Sequence, residues 1–200
     1  LQNNNVLSVF LDNQNNLWLG LDNGIDLITY NSSIKQLNPF LQNGSGYTAI
    51  IFDNHLFLGT SNGLYNTELQ SKKDLSFCKG NFEQVKNSNG QTWGLSEINN
   101  QLLMGHHEGA FVIKDNAALP ISSNTGFWNH VPLSGIFPSA QVIAGNYKGL
   151  FLFNFADGQF KHTLQIPNFD ESSRFVAIDN DDNIWVSHPY HGVFKIVQNK

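Results

Sequence analysis

Charge is scarce in this chain. Only 14% of its 200 residues are Asp, Glu, Lys or Arg, against roughly 25% in an average soluble domain. With 11 Lys plus Arg set against 16 Asp plus Glu, there is no basic footprint for a phosphate backbone, which excludes generic nucleic-acid binding. Cysteine is nearly absent. Cys78 stands alone in the polar stretch Ser71 to Gly80, so it forms no internal disulfide, and no paired base in sequence makes it a nucleophile. No window approaches about 18 consecutive apolar residues, and the N-terminus has neither a basic start nor an apolar run, so no membrane span or signal peptide is visible. The first residue is Leu1, not Met, which reads as a piece excised from a longer chain. Helical periodicity is missing almost throughout.

The polarity that is present is uncharged, with 27 Asn and 17 Gly, and 16 Phe raise the aromatic share to 12%. That apolar content and a net charge of -5 exclude disorder. The length supports a sizeable core without disulfides or metals.

A short apolar strand, a Gly, three variable residues, a second Gly and another apolar strand recur five times. The copies are Leu17-Trp18-Leu19-Gly20 to Gly24, Leu56-Phe57-Leu58-Gly59 to Gly63, Leu102-Leu103-Met104-Gly105 to Gly109, Val142-Ile143-Ala144-Gly145 to Gly149, and Ile184-Trp185-Val186-Ser187 to Gly192. Positions 20, 59, 105, 145 and 187 are 39, 46, 40 and 42 residues apart, the period of a four-stranded propeller blade. An apolar A strand precedes the motif at Val6 to Leu11, Tyr47 to Phe52, Thr92 to Ile98 and Phe175 to Ile178. Weaker D strands follow at Ile34 to Leu37, Phe82 to Val85, Ala117 to Ile121 and Gln159 to Thr163. The chain thus reads as an all-β partial β-propeller over residues 1–200, with about five blades at 1–40, 41–88, 89–123, 124–168 and 169–200.

Several residues take structural roles in this reading. The Gly pair supplies positive φ in the B-to-C hairpin and room for the neighbouring blade. Trp18 and Trp185, at the same strand-B position as Phe57, are expected in the core between blades. Asp12, Asp53 and Asp179 recur at the A-to-B turn, where a carboxylate accepts backbone N–H bonds.

The segment Asp12 to Gly24, DNQNNLWLGLDNG, resembles the two-component regulator propeller repeat, and Asp179 to Gly192, DNDDNIWVSHPYHG, matches it less well. The order of all five copies is similar to the middle of the sensor propeller in regulators of Bacteroidetes-type bacteria. That resemblance implies a periplasmic sensor in an inner-membrane protein. It also implies a downstream triple-tyrosine β-sandwich, a membrane span and a cytoplasmic output of LuxR-type helix-turn-helix or histidine kinase. Nothing of the output is here: there is no kinase His box, nucleotide-binding Gly loop or basic recognition helix. Propellers of that family typically hold about seven blades. Five blades are therefore expected to be a fragment that closes under strain, remains an open arc, or pairs with a second copy as a homodimer.

In a propeller the B-to-C and D-to-A loops share the face where ligands commonly bind. The B-to-C loops offer Asp22, Asn23, Asn62, His106, His107, Glu108, Tyr147, Lys148, His188, Tyr190 and His191, and the D-to-A side adds Tyr47, Trp93, Trp128 and Arg174. They vary from blade to blade while the strands around them stay apolar, as expected of a scaffold carrying a site on its loops. Aromatic faces suit the C–H faces of sugars, neutral polar groups suit hydroxyls, and Arg suits a carboxylate. An oligosaccharide or other small molecule is the expected ligand.

No cofactor or metal is expected. Adjacent His106 and His107 point to opposite sides of an extended segment, and no Cys or carboxylate lies close in sequence to His188 and His191. Two alternatives remain beside a sensor, a propeller enzyme acting on polysaccharide as glycosidase or lyase, and a protein-interaction scaffold. A glycosidase needs two suitably separated carboxylates, yet the loop face offers only Asp22, Glu108, Asp170 and Glu171. A lyase would use His106, Tyr147, His188 and Tyr190 as base and acid. An interaction scaffold would show a broad apolar or charged patch, which these small polar and aromatic loops lack.

Overall fold

The computed structural model describes residues 3–29, 44–69, 81–133 and 141–197. Among them every regular element is a strand, and each sheet is antiparallel, with its strands adjacent in chain order. The first sheet holds β1 (Val6–Leu11), β2 (Leu17–Leu21) and β3 (Gly24–Ile28). The second holds β4 (Gly46–Phe52), β5 (His55–Thr60), β6 (Gly63–Glu68) and the short β7 (Glu83–Gln84). The third comprises β8 (Thr92–Ile98), β9 (Gln101–His106), β10 (Gly109–Lys114) and β11 (Ala117–Ser122). The fourth comprises β12 (Phe127–Pro132), β13 (Val142–Asn146), β14 (Gly149–Ala156) and β15 (Gln159–Gln165). The last has β16 (Phe175–Ile178), β17 (Ile184–His188) and β18 (Gly192–Ile196). These are the blades of a β-propeller. The expected strand at Ile34 to Leu37, and Cys78, lie outside the described residues.

The chain divides into two units: residues 1–39 with 70–81, and residues 40–69 with 82–200. In the first unit the sheet buries Leu19 and Leu21 and exposes Leu7, Phe10 and Ile25. The second unit holds four sheets and three apolar layers, one between each successive pair. Leu102 and Met104 of β9 point into the layer with Phe57, Leu64 and Val85, while Leu103 between them joins Phe127, Val142, Ala144 and Phe153. Ile143 of β13 faces the other way, onto Leu150, Val176, Ile184 and Val186. Alternation with period two therefore lets one strand serve two cores, which is why the inner strands read as continuous apolar runs.

Asn-rich composition is explained by the turns. Asp53-Asn54, Asn99-Asn100 and Asp115-Asn116 each have positive φ at both residues and each closes a two-residue hairpin, between Phe52 and His55, Ile98 and Gln101, and Lys114 and Ala117. Such turns need two left-handed residues, a conformation that Asn and Asp tolerate better than most. Asp53 is thus a left-handed turn residue, and, contrary to expectation, its carboxylate accepts no backbone N–H among the described residues.

Asp12 and Asp179 do gather them, in a longer loop. The Asp12 carboxylate accepts the backbone N–H of Gln14 and Asn16, at 2.8 and 2.9 Å. It also accepts the Trp18 indole N–H at 2.9 Å. Asp179 repeats the arrangement with Asp181, Asn183 and Trp185, the indole bond being 2.7 Å. Trp18 and Trp185 are accordingly not core residues, as the sequence suggested; they are 38% and 39% exposed and clamp their own turns. Phe57, which has no N–H to offer, is the one of the three that is buried. The Trp18 hydrogen bond, with the backbone donors, holds the Asp12 carboxyl down at about 2. In Trp18→Phe its titration midpoint, followed by carboxyl NMR, is expected to rise toward the ordinary 3.8; an unmoved midpoint would show that the indole is not the cause.

Candidate functional site

The site begins with a bulge. In β1, β4, β8 and β12 the pairing register slips at the second residue, between Val6 and Ser8, Gly46 and Thr48, Thr92 and Gly94, and Phe127 and His130. A bulge re-aims the extra side chain. The residues so placed are Leu7, Tyr47, Trp93 and Trp128, and Arg174 occupies the equivalent place just before β16, its N–H bonded to the Ser187 carbonyl at 2.9 Å.

Within the second unit these side chains form a continuous run. Ring centroids of Tyr47 and Trp93 are 4.9 Å apart, and those of Trp93 and Trp128 are 4.8 Å apart. The Arg174 guanidinium lies 5.2 Å over the Trp128 ring. Tyr147, from the β13–β14 turn, packs on Trp128 at 5.3 Å, and its hydroxyl meets His107 Nδ1 at 3.1 Å. Tyr147 lies across Gly126, whose φ of 84° and missing Cβ make room for the ring. Burial pushes the Tyr147 phenol up, opposed by the nearby Trp93 indole. The Trp128 indole N–H is buried and has no hydrogen-bond partner among the described residues.

The turn-flanking residues are engaged otherwise. Thr60, His106, Asn146 and His188 each stand immediately before a hairpin turn and accept a turn N–H with a side-chain atom, in bonds of 2.9–3.1 Å. His106 and His188 do this through Nδ1, so each neutral ring carries its proton on Nε2. His106 is 2% exposed and packs against Phe111; burial lowers its pKa. It supports the turn from below, whereas His107 reaches the aromatic run.

His188 and His191 stack face to face, 4.1 Å between centroids, and both meet Glu171 Oε2, at 3.4 and 3.3 Å. Sequence reasoning named Glu171 only as a loop acid and missed this cluster, because the carboxylate comes from a different loop. Three potential ligands converge here. However, His188 Nδ1 already accepts the N–H of Tyr190 and of His191, both at 2.9 Å. Nε2 is then the protonated atom, and metal binding there would require an imidazolate or the loss of both bonds.

The remaining candidates are scattered. Tyr190 is exposed, edge-on to His188. Glu108 and Asn62 are exposed turn residues, and Lys148 lines an open cleft of about 560 Å³ with Asn146, Gln165 and Asp170. Asp22 and Asn23 belong to the first unit, where Asn23 accepts a bond from Asn3.

Residues 1–23 match the family model described as two component regulator propeller. No curated protein matches the chain. Among solved structures, the extracellular domain of BT4673 from B. thetaiotaomicron is similar, with TM-scores of 0.57 and 0.56 at 19% identity in two structures. One describes that protein as a one component system and the other as a hybrid two component system. The likeness covers 96% and 98% of this chain and 26% of that domain, so the chain spans about a quarter of its length. The WD40 beta propeller domain of Doa1 is similar at a TM-score of 0.53 and 14% identity, over 98% of this chain and 64% of that one. At such identities the likeness is one of fold. The chain is a β-propeller whose residues 1–23, including β1 and β2, match the model of the two component regulator propeller repeat.

Proposed function

We propose that this propeller is the extracytoplasmic ligand-binding module of a membrane-spanning signal-transduction regulator, and that its ligand is derived from carbohydrate. The repeat match and the likeness to extracellular domains of regulatory systems support the sensor part. The observation that carries the ligand class is the run Tyr47, Trp93, Trp128, placed by successive bulges and joined by Tyr147 from the β13–β14 turn, with the Trp128 indole N–H buried and without a partner among the described residues. Flat rings beside neutral donors are what sugar C–H faces and hydroxyls require. Ligand binding would reach downstream modules through the stacked sheets, whose cores are shared between neighbours.

Glycan-array screening followed by titration calorimetry tests the reading. Trp93→Ala and Trp128→Ala are each expected to weaken a measured affinity at least tenfold, about 1.4 kcal/mol. Unchanged affinity in both would place the ligand elsewhere. Chromatography of the bound oligosaccharide separates the enzyme alternative, since a sensor returns it intact and a lyase returns cleaved product.

A further inference from the structure

We infer that the ligand is an acidic oligosaccharide whose uronate carboxylate is gripped by Arg174; this deepens the carbohydrate-sensor reading and rests on it. In successive sheets one bulge-derived position carries Tyr47, Trp93 and Trp128, and the next in the series is a cation. The Arg174 guanidinium sits 5.2 Å from the Trp128 centroid and 5.6 Å from that of Phe175. No N–H of the guanidinium is hydrogen-bonded to a protein acceptor among the described residues, so its fork is available to a bidentate partner.

Among the described residues no carboxylate pairs with that fork. The nearby candidate, Glu171, is three residues upstream but is turned to His188 and His191. Asp170 lines the cleft beside Lys148 and Gln165. Arg174 is thus an exposed cation without a carboxylate partner among the described residues, standing at the end of the aromatic run. A pyranose seated on the aromatic run brings its ring substituents beside the guanidinium, and in a uronic acid one of them is a carboxylate, which matches the fork with two parallel bonds.

Titration calorimetry with oligogalacturonate and oligoglucuronate, each beside its carboxyl-reduced neutral counterpart, tests this directly. Wild-type protein is expected to bind one acidic probe at least tenfold more tightly than its reduced form. Arg174→Ala should lower the acidic probe to the affinity of the neutral one, and Arg174→Lys, which keeps the charge without the fork, should recover part of the preference. Circular dichroism establishes that both variants are folded. Equal binding of acidic and reduced forms, or a preference that survives Arg174→Ala, overturns the acidic inference and leaves the carbohydrate reading standing. Failure of the folded wild-type protein to bind any acidic, reduced or neutral oligosaccharide overturns both.

Discussion

Alanine at Gly105 is expected to destabilise the protein on the order of 3 kcal/mol, the upper end of what overpacking usually costs. The cause is room, not backbone conformation. A Cβ at Gly105 would lie 2.1 Å from the Trp128 carbonyl oxygen and 2.8 Å from its carbon, and one at Gly94 would lie 2.2 Å from the same oxygen. Both obstacles are main chain, so no rotamer change relieves them, and β12 would have to move away from β8 and β9. For a chain of this size the melting temperature should fall by roughly 6–12 °C. Gly46→Ala is the matched control, because a Cβ there meets nothing within 4 Å. Losing a glycine from the unfolded chain should leave that variant neutral or about 0.4–1 kcal/mol more stable. Since Trp128 belongs to the aromatic run, Gly105→Ala should also change tryptophan emission, while Gly46→Ala should not. Equal melting temperatures for the two variants would defeat the close-approach account.

The same glycine explains why so much of the fold was legible. Gly20, Gly59, Gly105 and Gly145 recur at one strand position. At Gly105 and Gly145 the backbone of the next sheet passes close, the obstacles being the Trp128 and Ser173 carbonyls, while at Gly59 they are the Thr48 and Thr92 side chains and at Gly20 the Ser8 side chain of its own sheet. Period and composition therefore report blade packing directly. The strand β12 was less visible. Its sequence, FWNHVP, buries a histidine and ends in proline, so it lacks the apolar alternation that marks the other A strands, and Phe127-Trp128 reads as loop. The match between Thr92-Trp93 and Phe127-Trp128, each beginning an A strand, was the available signal.

Tryptophan position was misread for a related reason. The neighbours of Trp18 and Trp185 are apolar, but those neighbours fill alternate faces, and the indole N–H is drawn to an Asp six residues earlier. The spacing Asp, four to Asn, two more to Trp appears in both copies and is absent around Asp53. Of the candidate site, Tyr47, Trp93, Trp128 and Arg174 were readable because they stand at one repeat position. The turn-capping duties of His106 and His188, and the gathering of two His on Glu171, depend on which ring nitrogen faces the backbone, and no residue spacing encodes that.

Acid should expose a second weakness, centred on His130. This residue is 4% exposed, stacked on Phe127 at 6.1 Å and edge-on to Phe153, and neither ring nitrogen has a hydrogen-bond partner among the described residues. Burial drives its pKa from 6.5 down to about 4. Between those values the unfolded chain binds a proton that the folded protein refuses, so stability rises with pH across this window and is lost as pH falls through it. The full loss by pH 4 is about 3 kcal/mol. His130→Leu, close in volume and without polar atoms, should behave oppositely on two counts. At pH 7 it should be more stable by about 1–3 kcal/mol, because two unsatisfied buried nitrogens are gone. Below pH 6.5 its urea midpoint should fall less steeply than that of the wild type, the gap widening toward pH 4. His106, whose pKa burial also lowers, contributes equally to both proteins and cancels in the comparison. Parallel pH profiles would mean that His130 finds a proton partner in solution, and its imidazole would then titrate near 6.5 by NMR.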